Sequence, residues 1–231
     1  MRFSSPLVHG TLVQRYKRFL ADVQLLNGTT VIAHCTNTGS MMGCQTPGSA
    51  VCISRCDRPG RRLAYTWEMI RVNGGWVGIN TLVPNRLVAE GIEAGAVHEL
   101  LGYSSIRREV CTRQGVRLDI GLDGPCGLCF VEVKNVTLAI DGMAAFPDAV
   151  SARGTKHLQE LIRLKRKGHR SALIFVIQRE DCVGFRPADE IDPKYGHWLR
   201  CAMKAGVEIF PYQAKVTPGE IVLTTRLRTQ F

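Results

Sequence analysis

Hydrophobic and polar positions follow two different regimes along this chain. As far as Asn80, apolar residues recur at every second position in short runs separated by turn chemistry. "RYKRFLADVQL" places Phe19, Ala21, Val23 and Leu25 on one face, which predicts a half-buried strand with Phe19 in the core. It ends at Asn27-Gly28, the favoured type I′ hairpin pair, and returns as "TTVIAHC". The loop "TNTGSMMGCQTPGS" follows, in which Met41 and Met42 are expected to pack. Further strands read at "AVCIS", "RLAYTWEMIRV" and "WVGIN". Short strands at close spacing without a helix predict a small β-barrel.

From Val83 the period changes. "VPNRLVAEGIEAG" reads as a helix with Pro84 in its first turn, and the domain joint falls here, dividing the chain into 1–83 and 84–231. Strands then read at "RREVC", "VRLDIGL", "LCFVEVK", "SALIFVIQ", "VEIFPY" and "EIVLTTRL". Helices read at "SARGTKHLQELIRLKRK", closed by Gly168, and "YGHWLRCAMKA", closed by Gly206. Strand–helix–strand order predicts an α/β domain with a central sheet.

The net charge of +10 points to a polyanionic partner, and the charge is clustered. Between Ser151 and Arg170 stand Arg153, Lys156, Arg163, Lys165, Arg166, Lys167 and Arg170 against the single acid Glu160. Arg15, Lys17 and Arg18 surround Tyr16 and Phe19 near the start. Neither cluster borders a strongly apolar amphipathic face, which favours nucleic acid over a membrane surface. No helix-turn-helix reading head is evident, so strong sequence specificity is not expected. No apolar run is long enough to span a bilayer, and the first residues lack a secretory signal, so a cytoplasmic location is expected. The nine cysteines are then most simply reduced thiols. Cys126 and Cys129 have metal-like spacing, but structural zinc needs four ligands, and no zinc is expected.

Candidate chemistry sits in "CFVEVKNVTL". Residues two apart in a strand share a face, so Leu128, Phe130, Glu132 and Lys134 line one side and Cys129, Val131 and Val133 the other. The two charges lie at the strand's far end, where ligands gather in open α/β sheets. The short "DGPCG" connection predicts a hairpin that sets Asp119 beside Glu132. Adjacent carboxylates repel unless a cation joins them, and Mg²⁺ or Mn²⁺ suits an oxygen donor set. Lys134 can then orient an attacking water or steady charge developing on phosphorus. Asp followed by Glu-x-Lys on the next strand is the short signature of the PD-(D/E)xK nucleases, which hydrolyse phosphodiesters with Mg²⁺. The residue before Asp119 is leucine rather than proline, and the alternative is a plain Glu132–Lys134 ion pair at a solvated strand end. Arg153, Lys156 and His157 on the following helix are placed to reach a phosphate. Glu109 is either a third carboxylate ligand or an exposed strand acid beside Arg107 and Arg108.

Together "RYKRFLADV", "HCTNTGSMMGC", "NTLVPNRL", "ELLGYSSIRREV", "RLDI", "VEVKNVTL" and "FPDAVSARGTKHLQEL" resemble the sugar fermentation stimulation protein A (SfsA) family over nearly the whole chain. The resemblance implies an N-terminal OB-like barrel followed by a PD-(D/E)xK nuclease-like domain, in DNA-binding proteins linked to sugar (maltose) metabolism. It carries the nuclease pattern onto Asp119, Glu132 and Lys134, with Glu109 as a further metal ligand. OB folds grip single strands through basic grooves and stacked aromatics, which assigns Arg15, Lys17 and Arg18 to nucleic acid. Asn37 joins them if the "CTNTGSMMG" loop presents N–H groups to a phosphate; the alternative is a tight loop in which Asn37 and Thr38 cap turns. Two functions follow as expectations: a DNA-binding protein with a Mg²⁺- or Mn²⁺-dependent phosphodiesterase site, or a catalytically silent DNA-binding regulator. DNA is expected over RNA, and a homodimer is compatible with the chain.

Overall fold

The computed structural model describes residues 1–231. Period-two patterning yields β1 (Val8–Tyr16), β2 (Leu20–Leu25), β3 (Thr30–His34), β4 (Ala50–Arg55), β5 (Tyr65–Val72) and β6 (Gly75–Gly78). They order as β3-β2-β1-β4-β5-β6, and a parallel contact of β3 with β5, with Ala33 opposite Tyr65, closes the first five into an OB barrel. The inward positions Leu12, Ala21, Val23, Val51, Ile53, Trp67 and Ile70 fill its interior.

Phe19 is not among them. Lys17 and Arg18 take left-handed φ values of 49° and 64°, so the chain turns there instead of running on as a strand. Phe19 is left 46% exposed at the hairpin tip, and the inward alternation begins at Ala21. The next hairpin also departs from expectation. Only Gly28 has positive φ, and the Asn27 side-chain oxygen accepts from Thr29 N at 3.0 Å, which makes a type I turn with a glycine bulge. Met41 is fully buried as expected, whereas Met42 is exposed.

The second half begins with α1 (Val83–Glu93), then β7 (Ser105–Arg113), β8 (Val116–Gly124) and β9 (Gly127–Val136). A short pair, β10 (Ala139–Ile140) and β11 (Met143–Phe146), leads into α2 (Ala152–Arg166) and β12 (Arg170–Ile177). The chain ends with β13 (Gly184–Pro187), α3 (Pro193–Lys204), β14 (Glu208–Val216), β15 (Ile221–Arg226) and β16 (Arg228–Thr229). The main sheet runs β15-β14-β12-β9-β8-β7, with β14, β12 and β9 parallel and antiparallel strands on both flanks. A side sheet, β10-β11-β13-β16, has strands too short to show a period in the sequence. Both long helices of this half start on a side-chain cap: Ser151 Oγ accepts from Gly154 N, and Asp192 Oδ1 from Tyr195 N.

The main sheet is covered on both faces. Against one face pack α1 and the outer wall of the barrel, where Cys52 and Met69 alternate out of the barrel to join Val88, Ile120, Val131 and Ile174. Against the other pack α2 and α3, through Leu158, Leu161 and Leu199 onto Phe130, Leu173 and Phe175. The two helices approach closely at Gly154, where an added Cβ would stand 2.9 Å from Tyr195 Cε2. Gly154→Ala is therefore expected to lower stability by about 1–3 kcal/mol through overpacking. Urea unfolding reads this directly; a midpoint equal to the parent's would show that the Tyr195 ring yields freely.

Candidate active site

The β8–β9 ladder runs from Gly124 opposite Gly127 to Ile120 opposite Val131 and stops there. Asp119 and Glu132 are the next residues, one on each strand. β12 holds β9 in the sheet from Cys129 to Val136, while β8 continues against β7, with Leu118 opposite Val110. The strands therefore part, and the Val133 N–H finds its acceptor in a side chain instead of a β8 carbonyl. Asp119 Oδ2 accepts it at 2.8 Å, and Oδ1 accepts from Asn85 Nδ2 of α1 at 2.7 Å.

Glu132 shares its strand face with Phe130 and Lys134, as the alternation predicts, and is only 2% exposed. Its Oε1 accepts from Lys134 Nζ at 2.6 Å and from His157 Nδ1 of α2; its Oε2 is buried with no hydrogen-bond partner. Arg153 Nε lies 3.4 Å from His157 Nε2, and Lys134 Nζ lies 3.3 Å from Nδ1. Lys134 and His157 thus make one donor pair around one carboxylate oxygen.

The two acids are driven apart. Burial, reinforced by the nearby charge of Glu132, pushes the Asp119 carboxyl up to about 6; the Val133 N–H, Lys134 and Asn85 offset only part of this. Burial also acts against the Glu132 charge, but Lys134 and His157 outweigh it and hold this carboxyl below its ordinary range. One acid is committed to its charge, and the other becomes charged only near neutral pH.

These groups line a cavity of about 430 Å³. Thr36, Asn37 and Thr38 of the barrel line it, as do Ser151 and, from α2, Arg153 and His157. The barrel loop is held in place from both sides. Arg15 Nη2 donates to the carbonyls of Arg18, Asn37 and Gly39, each at 2.9 Å, and Nη1 to Gln45 Oε1 at 3.0 Å. Ser40 Oγ donates to the Asp148 carbonyl at 2.5 Å, and Met41 N to Asp148 Oδ2 at 3.0 Å. Asp148 sits so close that a Cβ on Gly39 would stand 2.9 Å from its Oδ2.

Among the residues expected from the sequence, Asp119, Glu132, Lys134, Arg153, His157 and Asn37 meet at this cavity. Asn37 does so as a turn-former, its Oδ1 accepting from Gly39 N at 2.9 Å. Arg15 staples the loop through Nη1 and Nη2, both engaged by protein oxygens, while its Nε is buried without a partner. Lys17 and Arg18 are exposed at the hairpin tip, and Lys156 is exposed on α2 in an adjoining groove. Glu109 does not join the acid pair. Within β7 it has a left-handed φ of 56° and no register partner on β8, and its carboxylate pairs with Arg117 Nη1 at 3.1 Å in that same groove. Cys126 is exposed at the hairpin turn while Cys129 is buried in the sheet. No group of three or more His, Cys, Asp or Glu side chains converges in a metal-holding cluster. Sequence reasoning missed Asn85 and Asp148: a lone amide in a helix's first turn and an acid in a loop show no spacing that marks their partners.

Fold and site together define a class: an OB barrel joined to an α/β domain whose mixed sheet gathers two carboxylates and a lysine where two strands part. Residues 13–79 match the model of the SfsA N-terminal OB domain, and residues 82–220 match that of the sugar fermentation stimulation protein RE domain. The sugar fermentation stimulation protein homolog of Geobacter sulfurreducens is 59% identical, covering 96% of this chain and 95% of that protein. Its counterpart in Geobacter metallireducens is 56% identical, with 98% of each chain covered. The solved structure of Pyrococcus furiosus SfsA in complex with Ca²⁺ is 29% identical, with a TM-score of 0.92 over 100% of this chain and 98% of that one. The chain belongs to the sugar fermentation stimulation protein family.

The raised Asp119 carboxyl has a thermodynamic consequence. The folded protein holds this proton more tightly than the unfolded chain, so its contribution to stability is greatest at low pH and falls as pH rises from 3.8 towards about 6. The full change is roughly 3 kcal/mol at about 1.4 kcal/mol per pH unit. Asp119→Asn keeps an oxygen for Val133 N–H and removes the charge, so in metal-free buffer at pH 8 it is expected to be about 1–3 kcal/mol more stable than the parent. Chemical denaturation across the acid-to-neutral range checks this, and a variant less stable than the parent at pH 8 would refute it.

Proposed function

We propose that the chain is a nucleic-acid-binding protein, DNA before RNA, with a phosphodiesterase site that depends on Mg²⁺ or Mn²⁺. One observation carries the proposal: a buried Glu132 oxygen without a partner shares a cavity with a second carboxylate whose charge burial opposes. Two such groups fit a hard divalent ion, which needs only one or two carboxylates and fills its other positions with water and substrate oxygens. That a relative has been solved in complex with Ca²⁺ is consistent with an oxygen-donor site in this family.

Asp119 and Glu132 would hold the ion, which supplies Lewis-acid charge at the phosphoryl oxygen. Asn85 and Val133 N–H keep the Asp119 carboxylate oriented while it loses its proton. Lys134 is engaged with Glu132 Oε1 at 2.6 Å and lines the same cavity, where its ammonium would orient the attacking water or steady the developing negative charge. His157, backed by Arg153, keeps Glu132 on the cavity side of the sheet.

The occupied Glu132 Oε1 also supports the alternative, a regulator of sugar (maltose) metabolism that binds DNA and leaves it intact, because the Lys134–His157 pair already compensates half of that carboxylate. Incubation of single- and double-stranded DNA and RNA with and without Mn²⁺ separates the two. Cleavage is expected only with the ion, with Glu132→Gln inactive and Lys134→Ala slowed by about 10²–10⁴-fold while still binding. Full activity of Lys134→Ala would remove the assigned role, and absence of cutting with every divalent ion would leave the binding protein alone.

A further inference from the structure

A second concavity of about 650 Å³ adjoins the candidate active site, and Arg117, Arg153, Lys156, His157 and Glu109 line it. Arg153 and His157 belong to both spaces. The imidazole is the partition: Nδ1 faces Glu132 on one side, and Nε2 meets Arg153 on the other. Cavity and groove therefore adjoin across the first turns of α2, with Arg153 and His157 common to both. The groove is basic, with exposed Arg117, Arg153 and Lys156 against one acid. It has no aromatic lining, so its hold on a polynucleotide is through phosphates and not bases.

That acid is Glu109, held in a conformation that side chains other than glycine's rarely adopt. Register pairs flank it on both sides, Arg108 with Ile120 and Val110 with Leu118, yet Glu109 itself leaves the ladder to reach Arg117. Strained backbone of this kind is concentrated at functional sites. Here the strain delivers a carboxylate to the one arginine of the groove that β8 supplies, where it competes with any phosphate.

The burial of the candidate site also bears on the substrate. Glu132 is 2% exposed, and residues of the barrel loop and of α2 line the cavity with it. A paired duplex holds its phosphates on a stiff rod, whereas an unpaired strand can bend a phosphate down toward so buried a carboxylate.

Building on the phosphodiesterase reading, we propose that cavity and groove form one track for a single-stranded polynucleotide. Arg117, Lys156 and Arg153 hold the phosphates on one side of the reacting bond, and Glu109 limits the grip by occupying Arg117. Fluorescence anisotropy in EDTA, with labelled oligothymidylate of about 20 nucleotides and with the same strand paired to oligodeoxyadenylate, tests this without any cutting. The single strand is expected to bind about tenfold tighter than the duplex or better. Arg117→Glu combined with Lys156→Glu should weaken it by about tenfold or more and flatten the log K against log salt slope by about 1.4, two phosphates at about 0.7 each. Glu109→Gln should tighten it, because the carboxylate that occupies Arg117 is gone. Duplex bound as tightly as single strand would overturn the track. So would unchanged affinity in the charge-reversed protein with parental circular dichroism and melting, or no effect of Glu109→Gln. These measurements contain no metal, so a protein that binds as stated but never cuts refutes the hydrolase reading and leaves the track standing. Metal-dependent cutting with none of the binding changes does the reverse.

Discussion

The site rests on one event in the sheet, the parting of β8 from β9 after Ile120 and Val131. Each strand is held by a different neighbour, β9 by β12 and β8 by β7, and a backbone N–H is exposed in the gap between them. An unpaired buried N–H is costly, and the Asp119 carboxylate satisfies it at 2.8 Å. The same hydrogen bond that repairs the ladder fixes a carboxylate beside Glu132. Structural repair and site construction are one interaction, which is why Asp119 is oriented as well as desolvated.

The charges around that gap are deliberately uneven in their effect. Glu132 has two cationic or polarised donors on Oε1 and none on Oε2, whereas Asp119 has only neutral donors, an amide and a backbone N–H. The first acid keeps its charge despite burial, and the second resists taking one. Two carboxylates of one cavity are thus held in opposite states of charge by their surroundings. The barrel contributes enclosure. Its outer wall shares a core with α1 and the sheet, and its loop at Thr36–Thr38, stapled by Arg15 and Asp148, forms one side of the cavity.

Much of this was legible in the chain. The period-two runs, the Pro84 helix start and the Gly168 and Gly206 stops located most of the long elements, because burial against a sheet imposes a local period. Where a run was broken by backbone conformation, legibility failed. The alternation through Phe19 was spurious because Lys17 and Arg18 turn the chain, and left-handed lysine and arginine have no sequence signature. β10, β11, β13 and β16 are too short to repeat a pattern. In the site, the phase of β9 was correct residue by residue, since Glu132 and Lys134 two apart must share a face.

Partners across elements are another matter. Glu109 and Asp119 occupy facing positions between the same flanking register pairs, so pattern alone offered Glu109 as a third carboxylate; a φ of 56° turns it to Arg117 instead. Arg15 looked like a free cation, and only the folded loop brings carbonyl groups to it. The sequence by itself determined which side chains share a face where a strand runs unbroken, as in β9, because covalent geometry sets that period. The tertiary structure decided which charges are spent on the protein and which remain for a ligand, because that depends on distances between segments far apart in the chain.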